Sequence, residues 1–149
     1  MPGFKGKYNF SVDDKGRISI PAKLRKNLAG AANNAFVATR GLDGCIFLYP
    51  SDVWEKREAD MAEKLNVYVP ENRMFMRLLL EHANDVMLDK QSRIMVPQEL
   101  LDFAGITSAV LVVGLSDRIE LWNPDLYAQK VSIYESQYDD IALKAMVNR

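Results

Sequence analysis

Acidic and basic residues spaced four positions apart occur twice in this chain, and they are its clearest candidates for chemistry. Asp13 precedes Arg17 in the first half, and Asp89 precedes Arg93 in the second. A three-residue hairpin turn favours a left-handed last residue, which predicts that Gly16 closes a turn between two strands. Across such a turn the aspartate orients the arginine, and an arginine on an exposed β-ribbon can donate two hydrogen bonds to guanine. The pattern predicts a contact with duplex DNA, led by Arg17.

The charge distribution favours a local rather than a uniform DNA contact. The net charge of −1 and the pI near 5.9 exclude a uniformly basic surface. Residues 1–26 nevertheless hold seven basic residues against two acidic ones. Lys15 is predicted at the exposed tip of the turn, and it is predicted to contact phosphates together with Lys5 and Lys7. On charge alone, an ordinary solvated surface is the simpler explanation of this basic run.

The second copy of the turn departs from the first at its tip. Gln91 replaces Lys15 and Ser92 replaces Gly16, and a serine in the left-handed conformation is strained relative to glycine. We therefore expect the first turn to dominate the DNA contact. The alternative for both Asp–Arg pairs is a surface ion pair worth less than about 1 kcal/mol. In the second turn, Arg93 and Lys90 are the expected contact residues, and Asp89 is the expected orienting residue. Lys90 partly offsets the charge that is lost at Gln91.

An internal repeat explains why the motif occurs twice, because residues 12–21 align without gaps on residues 88–97. Each copy is predicted to fold as strand, turn, strand, helix, strand, strand, helix. The two short helices begin after proline and end at Gly30 or Gly105. The boundary between the half-domains is expected near Val86. The segment after Leu126 is expected to be helical. The predicted helices are 22–28, 51–64, 71–84 and 98–104, and the predicted later strands are 35–39, 46–49, 109–113 and 119–122.

Catalysis and metal binding are functions that the composition argues against. His82 is the sole histidine and lies on an apolar helical face, which favours a packed or capping role. Cys45 is the sole cysteine and begins an apolar strand, where burial is expected. Asp139 and Asp140 lie in a polar segment typical of a solvated surface, and no phosphate-binding, dinucleotide-binding or zinc-protease motif occurs. We expect no enzyme activity, no cofactor, no metal and no small-molecule substrate.

The chain is expected to fold unaided in a reducing, cytoplasmic compartment. Its 149 residues, 48% of them hydrophobic, are enough for one core or two small supporting ones. A single cysteine cannot form an intramolecular disulfide, and residues 1–10 lack the apolar core of a signal peptide. No apolar run approaches the roughly 18 residues that a membrane-spanning helix needs, so no membrane association is expected.

An ordered set of motifs resembles the MraZ family over nearly the whole chain. The first half has Phe4 and Gly6 before the turn motif at 13–21, then Leu48-Tyr49-Pro50 and Trp54. The specificity of the resemblance lies in the order of the set rather than in one motif. The second half follows with Arg73 and Arg77 before Leu78, His82-Ala83, Asp89, Arg93-Ile94, Pro97, Ala104-Gly105, Val113-Gly114 and Ile119-Glu120-Leu121-Trp122.

This resemblance implies an α+β fold of two tandem swapped-hairpin half-domains of the AbrB and SpoVT group, each a small β-barrel with additional helices. The half-domains would span residues 1–85 and 86–149. It also implies a ring-like homo-oligomer that is nucleoid-associated and controls transcription of the division and cell-wall gene cluster by binding repeated promoter boxes. Carried over to this sequence, the family's motif positions are Asp13, Lys15, Arg17, Asp89 and Arg93.

A ring-forming scaffold or protein-interaction module, such as the antitoxin-like half of a pair, is the alternative function. Large aromatic residues serve subunit contacts as well as cores, although each is more often part of a core. A scaffold without a DNA-binding role has no need of a basic turn, and its oligomer would survive neutralisation of that turn. The aromatic residues concerned are Trp54, Tyr68, Phe75, Trp122 and Tyr127.

Overall fold

The computed structural model describes residues 2–28 and 34–147, which form eight strands and six helices. A 3-10 turn, Glu135–Gln137, joins the last two helices. The strands are β1 Lys7–Ser11, β2 Arg17–Ser19, β3 Ala35–Arg40, β4 Ile46–Pro50, β5 Asn84–Met87, β6 Arg93–Met95, β7 Ala109–Leu115 and β8 Arg118–Trp122. The helices are α1 Ala22–Arg25, α2 Ser51–Lys64, α3 Pro70–Glu81, α4 Gln98–Ala104, α5 Pro124–Tyr134 and α6 Tyr138–Val147.

The two repeats exchange their first strands. A six-stranded sheet has the order β1-β7-β8-β4-β3-β5, so β1 of the first repeat pairs with β7 of the second and β5 of the second pairs with β3 of the first. All of these pairings are antiparallel. The prediction that β1 and β2 form a local hairpin ribbon is wrong, because each strand finds its ladder in the other repeat. In the described part of the chain the sheet ends at β1 and β5, which do not pair with each other.

A separate two-stranded ribbon is formed by β2 and β6, one strand from each repeat. Ile18 lies opposite Ile94 at its centre, and both side chains are fully buried. Because side chains alternate between the two faces of a strand, the residues on either side of this pair point away from the core. The ribbon therefore has one apolar face in the protein and one outer face.

One main core joins the two repeats. Ile18, Leu48, Ile94 and Leu121 lie in the same cluster of buried side chains, to which both repeats contribute. A second, smaller cluster contains Cys45, whose predicted burial is confirmed. The repeats are thus mutually dependent for burial of their apolar surface, and separating them would expose most of the main core.

The helices follow the sequence pattern with two corrections. α2 is confirmed at its predicted bounds, and α4 ends at Ala104 with Gly105 as its C-cap at a φ of 66°. α1 is shorter than predicted, and Gly30 lies outside the described residues. α3 ends at Glu81 rather than at Asn84, because Asn84 begins β5 and pairs with Ala38. The predicted helical structure after Leu126 is confirmed by α5 and α6.

The apolar face of α3 is not part of the core. No residue of α3 is buried, and Phe75 is 47% exposed. Tyr68, in the turn before α3, is 87% exposed, so the expectation that these two aromatic residues belong to a core is wrong. Trp122 is buried, as expected, at 5% exposure. The periodicity of α3 identifies an apolar face correctly, but within a single chain nothing covers it in the described structure.

The repeats preserve their aromatic packing beyond the strands. Tyr49 at the end of β4 contacts Trp54 of α2 with a centroid separation of 5.6 Å. At the equivalent place in the second repeat, Trp122 at the end of β8 contacts Tyr127 of α5 at 5.2 Å. Each repeat therefore fixes the helix that follows its last strand by the same kind of aromatic contact.

Candidate nucleic-acid interface

The first turn, residues 13–17, is organised around the carboxylate of Asp13. Its Oδ1 accepts hydrogen bonds from the backbone N–H groups of Lys15 at 3.0 Å and Arg17 at 2.8 Å. Its Oδ2 accepts from the Arg17 guanidinium Nε. The N–H of Gly16 donates to the Asp13 carbonyl at 3.0 Å, and Gly16 has the left-handed φ of 77° that the turn prediction requires. The Asp13 carboxylate thus closes the turn and pairs with the Arg17 side chain.

The second turn, residues 89–93, repeats this arrangement bond for bond. Asp89 Oδ1 accepts from the backbone N–H groups of Gln91 at 2.8 Å and Arg93 at 2.9 Å, and Oδ2 accepts from Arg93 Nε at 3.2 Å. The N–H of Ser92 donates to the Asp89 carbonyl at 3.0 Å, with a φ of 60°. A serine therefore holds the left-handed position, at a conformational cost that glycine does not have.

Each turn is tied to the other repeat. The Gly16 carbonyl accepts a hydrogen bond from Val96 N at 2.9 Å, and the Ser92 carbonyl accepts one from Ile20 N at 3.0 Å. The first of these contacts is close, since a Cβ added to Gly16 would lie 2.8 Å from the Val96 carbonyl oxygen. The two turns consequently sit at opposite ends of one rigid ribbon.

The register of the ribbon brings the two arginines onto one surface. Arg17 lies opposite Met95, and Ser19 lies opposite Arg93. Since Ile18 and Ile94 of the alternate positions face the core, these four side chains define the outer face of the ribbon, the term used below. The sequence predicted both arginines as contact residues, but not that they share a surface, and it missed Met95. The alternation of residues after each arginine was the available signal.

The electrostatics of the outer face are asymmetric. Arg93 Nη1 lies 3.7 Å from Asp13 Oδ2, so Asp13 is close to two guanidinium groups and Arg93 to two carboxylates. The backbone N–H of Arg17 donates to Asp13 and lowers the pKa of that carboxyl group below its ordinary value, and the N–H of Arg93 does the same for Asp89. Both carboxylates are therefore ionised at neutral pH. Each arginine side chain keeps about a quarter of its surface exposed, 27% for Arg17 and 26% for Arg93.

The predicted lysines divide into two groups. Lys15 is exposed at the tip of the first turn, and Lys90 is exposed in the second. Lys7 pairs with Val113 at the end of β1 that is remote from the turn. At about 3.3 Å per residue, its Cα lies roughly 20 Å from that of Asp13. Lys5 is exposed and lies farther along the chain in the same direction, so the structure does not gather Lys5 and Lys7 at the turn.

The sole histidine and the sole cysteine occupy structural positions, one at a helix C-cap and the other in the smaller core cluster. In the described part of the chain, no three histidine, cysteine or acidic side chains come together in a way that could hold a metal ion. His82 occupies the C-cap of α3, as a capping role predicts, and contacts the carboxylates of Glu81 and Glu99. Burial raises the pKa of the Cys45 thiol, so this cysteine stays protonated.

An apolar cleft of about 460 Å³ lies between α2, α3 and the β3–β4 strand pair, with Trp54, Phe75 and Phe103 among its lining residues. It continues the exposed apolar face of α3. Within residues 2–28 and 34–147, no helix has the length and apolarity needed to span a membrane.

Comparison with known proteins identifies relatives over most of the chain. The family described as "MraZ protein, putative antitoxin-like" matches residues 4–78 and again residues 79–145. A protein of Natranaerobius thermophilus and one of Halothermothrix orenii are each 39% identical over 139 residues, which cover 93% of this chain and 94% of each relative. A protein of Syntrophomonas wolfei is 38% identical over the same coverage. All three are named transcriptional regulator MraZ.

Proposed function

Because the chain belongs to the MraZ family, we propose that it is a sequence-specific DNA-binding transcriptional regulator that acts on repeated promoter boxes of the division and cell-wall gene cluster. The observation that carries this proposal is the placement of Arg17 and Arg93 together on the outer face of a two-stranded ribbon. A two-stranded ribbon fits the major groove, where arginine recognises guanine through two hydrogen bonds. The function is not catalytic, and it needs no cofactor, metal or small-molecule substrate.

The residues of the first turn would have the leading roles. Arg17 reads base edges or binds phosphate, and Asp13 holds its guanidinium in place while leaving part of it exposed. Lys15 binds phosphate from the tip of the turn. In the second turn, Arg93 and Lys90 make supporting contacts, and Asp89 and Gly16 complete the set of residues that shape the two turns. Lys5 and Lys7 would contact more distant phosphates along the same duplex or a neighbouring one.

We further propose that several copies assemble into a ring, each copy built from swapped-hairpin half-domains of residues 1–85 and 86–149. The exposed apolar residues of α3, with Phe75 and Leu78, and of α6, with Leu143, support such subunit contacts, because monomers rarely leave apolar patches of this kind uncovered. A ring presents identical turns at regular spacing, which suits repeated boxes through effective concentration. Such a regulator would act in the cytoplasm, associated with the nucleoid.

The test is a binding series over salt concentration with a promoter fragment that contains repeated boxes and a scrambled fragment of equal length. We expect the wild-type chain to prefer the box fragment, with affinity that falls steeply as salt rises. Arg17→Ala should lose the preference while it still folds and unfolds close to the wild-type midpoint, because the side chain lies outside the core and an exposed ion pair contributes less than about 1 kcal/mol. Lys64→Ala, at the exposed end of α2, is the matched control and should bind like the wild type.

The ring-forming scaffold is the second candidate, and the uncovered apolar face of α3 is the observation that favours it. A scaffold would bind both fragments equally and weakly, and Arg17→Ala would change nothing. Its assembly state would depend on apolar residues, so that Phe75→Ser would dissociate it. If Arg17→Ala unfolds the chain, the Asp13–Arg17 pair is a structural feature and the DNA-contact role of Arg17 is lost.

A further inference from the structure

Met95 is an exposed apolar residue on a surface that is otherwise polar. It lies on the outer face of the β2–β6 ribbon, directly opposite Arg17, and 55% of it is exposed. The residues on either side of it in the chain, Ile94 and Val96, are both buried, whereas Met95 points outward, so a polar residue at this position would not weaken the core. An exposed, adaptable methionine side chain beside a candidate base-reading arginine is placed to contact an apolar group of a bound duplex.

We propose that Met95 is a specificity-determining residue that contacts the C5 methyl group of a thymine next to the guanine contacted by Arg17; this inference rests on the proposed function. The thymine methyl is the apolar group that base pairs present in the major groove. Opposite residues of an antiparallel pair have Cα atoms about 4.5–5.5 Å apart. That separation is between one and two steps of the roughly 3.4 Å spacing of bases along a strand, so Arg17 and Met95 reach neighbouring base pairs.

The equivalent position in the first repeat has different chemistry. Ser19 occupies the place of Met95 in the aligned repeat, and it lies opposite Arg93. The outer face therefore has one half with arginine and methionine and another with arginine and serine. Only the part of the outer face with arginine and methionine can gain binding affinity from an apolar contact with a thymine methyl group. A ribbon whose strands are related by approximate two-fold symmetry thus reads its DNA site with a defined direction.

The experiment uses duplexes that the wild-type chain enriches from a random-sequence DNA library. Each thymine of an enriched duplex is replaced in turn by deoxyuridine, which removes only the C5 methyl group. We expect at least one position where this replacement weakens wild-type binding about fourfold, the effect of removing one buried methyl-sized group. At that position Met95→Ser should bind both duplexes equally, whereas Met95→Leu, which keeps an apolar side chain, should retain the difference.

A second replacement locates the partner base. Substituting 7-deazaguanine for guanine removes the N7 acceptor, and the sensitive guanine is expected within two base pairs of the sensitive thymine. Arg17→Ala should lose this sensitivity, because the arginine that donates to N7 is gone. Met95→Ser should keep it. Thermal unfolding of each variant shows that binding is measured on folded protein, and the exposed position of Met95 makes large changes unexpected.

The outcomes separate this inference from the proposed function. If Met95→Ser keeps the wild-type ratio between thymine and deoxyuridine, Met95 does not contact the methyl group and the inference is overturned. The same holds if the wild-type chain enriches a defined sequence but senses no methyl group in it. In both cases the regulator proposal stands. A wild-type chain that enriches no sequence overturns the proposed function and this inference together.

Discussion

The first and second turns have the same backbone but different chemistry at their tips. In both, an aspartate accepts two backbone hydrogen bonds and one from the arginine four positions later. The residue pair at the tip is lysine and glycine in the first turn, and glutamine and serine in the second. Duplication has therefore conserved the hydrogen bonds that build the turn and has left the charge at its tip free to change.

A second difference concerns how strongly each arginine is neutralised. Among the described residues, Arg17 forms an ion pair with Asp13 alone, whereas Arg93 lies near both Asp89 and Asp13. A guanidinium between two carboxylates presents less net positive charge to a phosphate or to a guanine. Each turn has one exposed lysine, Lys15 or Lys90, so the difference lies in the arginines, and the less neutralised Arg17 is the stronger anion contact of the two.

The left-handed position gives the largest expected difference between the turns. Gly16→Ala should lower the free energy of unfolding by about 2–3 kcal/mol, because alanine is strained at this φ and its Cβ would meet the Val96 carbonyl oxygen at 2.8 Å. Ser92→Gly should raise it by about 0.5–1 kcal/mol, since relief of strain exceeds the added chain entropy. Urea denaturation measures both. A Ser92→Gly variant with the same free energy of unfolding as the wild type would show that serine carries no net strain at this position.

Arginine removal should affect DNA binding unequally. Arg17→Ala is expected to weaken binding to an enriched duplex by about 5-fold to 150-fold, which corresponds to the loss of about 1–3 kcal/mol for one bidentate base contact. Arg93→Ala should weaken it only several-fold, because two carboxylates already surround that guanidinium. Fluorescence anisotropy at fixed salt measures both, with Lys64→Ala as the control. A larger loss for Arg93→Ala would reverse the assignment of the dominant turn.

Asp13 and Asp89 should contribute unequally to the free energy of unfolding, and both contributions should depend on pH in the same direction. Hydrogen bonds lower the pKa of both carboxyl groups in the folded chain, so their stabilisation is present above the ordinary value of 3.8 and is lost as the pH falls through the lowered folded values. Asp13→Asn and Asp89→Asn should therefore destabilise the chain at pH 7 and differ less from the wild type at pH 3. Asp13→Asn should have the larger effect, because Asp13 also faces Arg93.

Urea midpoints at the two pH values measure this pair of effects. A wild-type advantage that is the same at pH 3 and pH 7 would mean that the aspartates act through shape rather than through charge. An equal effect of the two substitutions at pH 7 would mean that the contact between Arg93 and Asp13 adds nothing to stability.

Local features of the fold could be predicted from the sequence, whereas its strand partners could not. The bounds of α2 and the turn at Gly16 follow from short-range periodicity and backbone preference. The pairing of β1 with β7 joins residues that are distant in the chain, and hairpin rules describe only neighbours. The helix before β5 was predicted to extend to Asn84, the first residue of that strand, because His82 continues the helical pattern of α3.

The candidate site shows the same limit. Each Asp–Arg pair could be predicted because its members are close in the sequence. The surface that joins Arg17, Arg93 and Met95 depends on the pairing of β2 with β6, which no local pattern reveals. The exposed face of α3 was expected to be buried because periodicity identifies an apolar face without saying whether the same chain or another covers it.

The tip residues allow the most direct test of the claim that the first turn faces DNA phosphate. Lys15→Gln and Gln91→Lys each change one charge at an exposed position without altering the turn-forming aspartates. The measured quantity is the slope of the logarithm of affinity against the logarithm of salt concentration. This slope should become shallower by about 0.9 per bound copy for Lys15→Gln, and steeper by a similar amount for Gln91→Lys. An unchanged slope for Lys15→Gln on the enriched duplex would contradict the account, because a lysine that binds no phosphate releases no counterion.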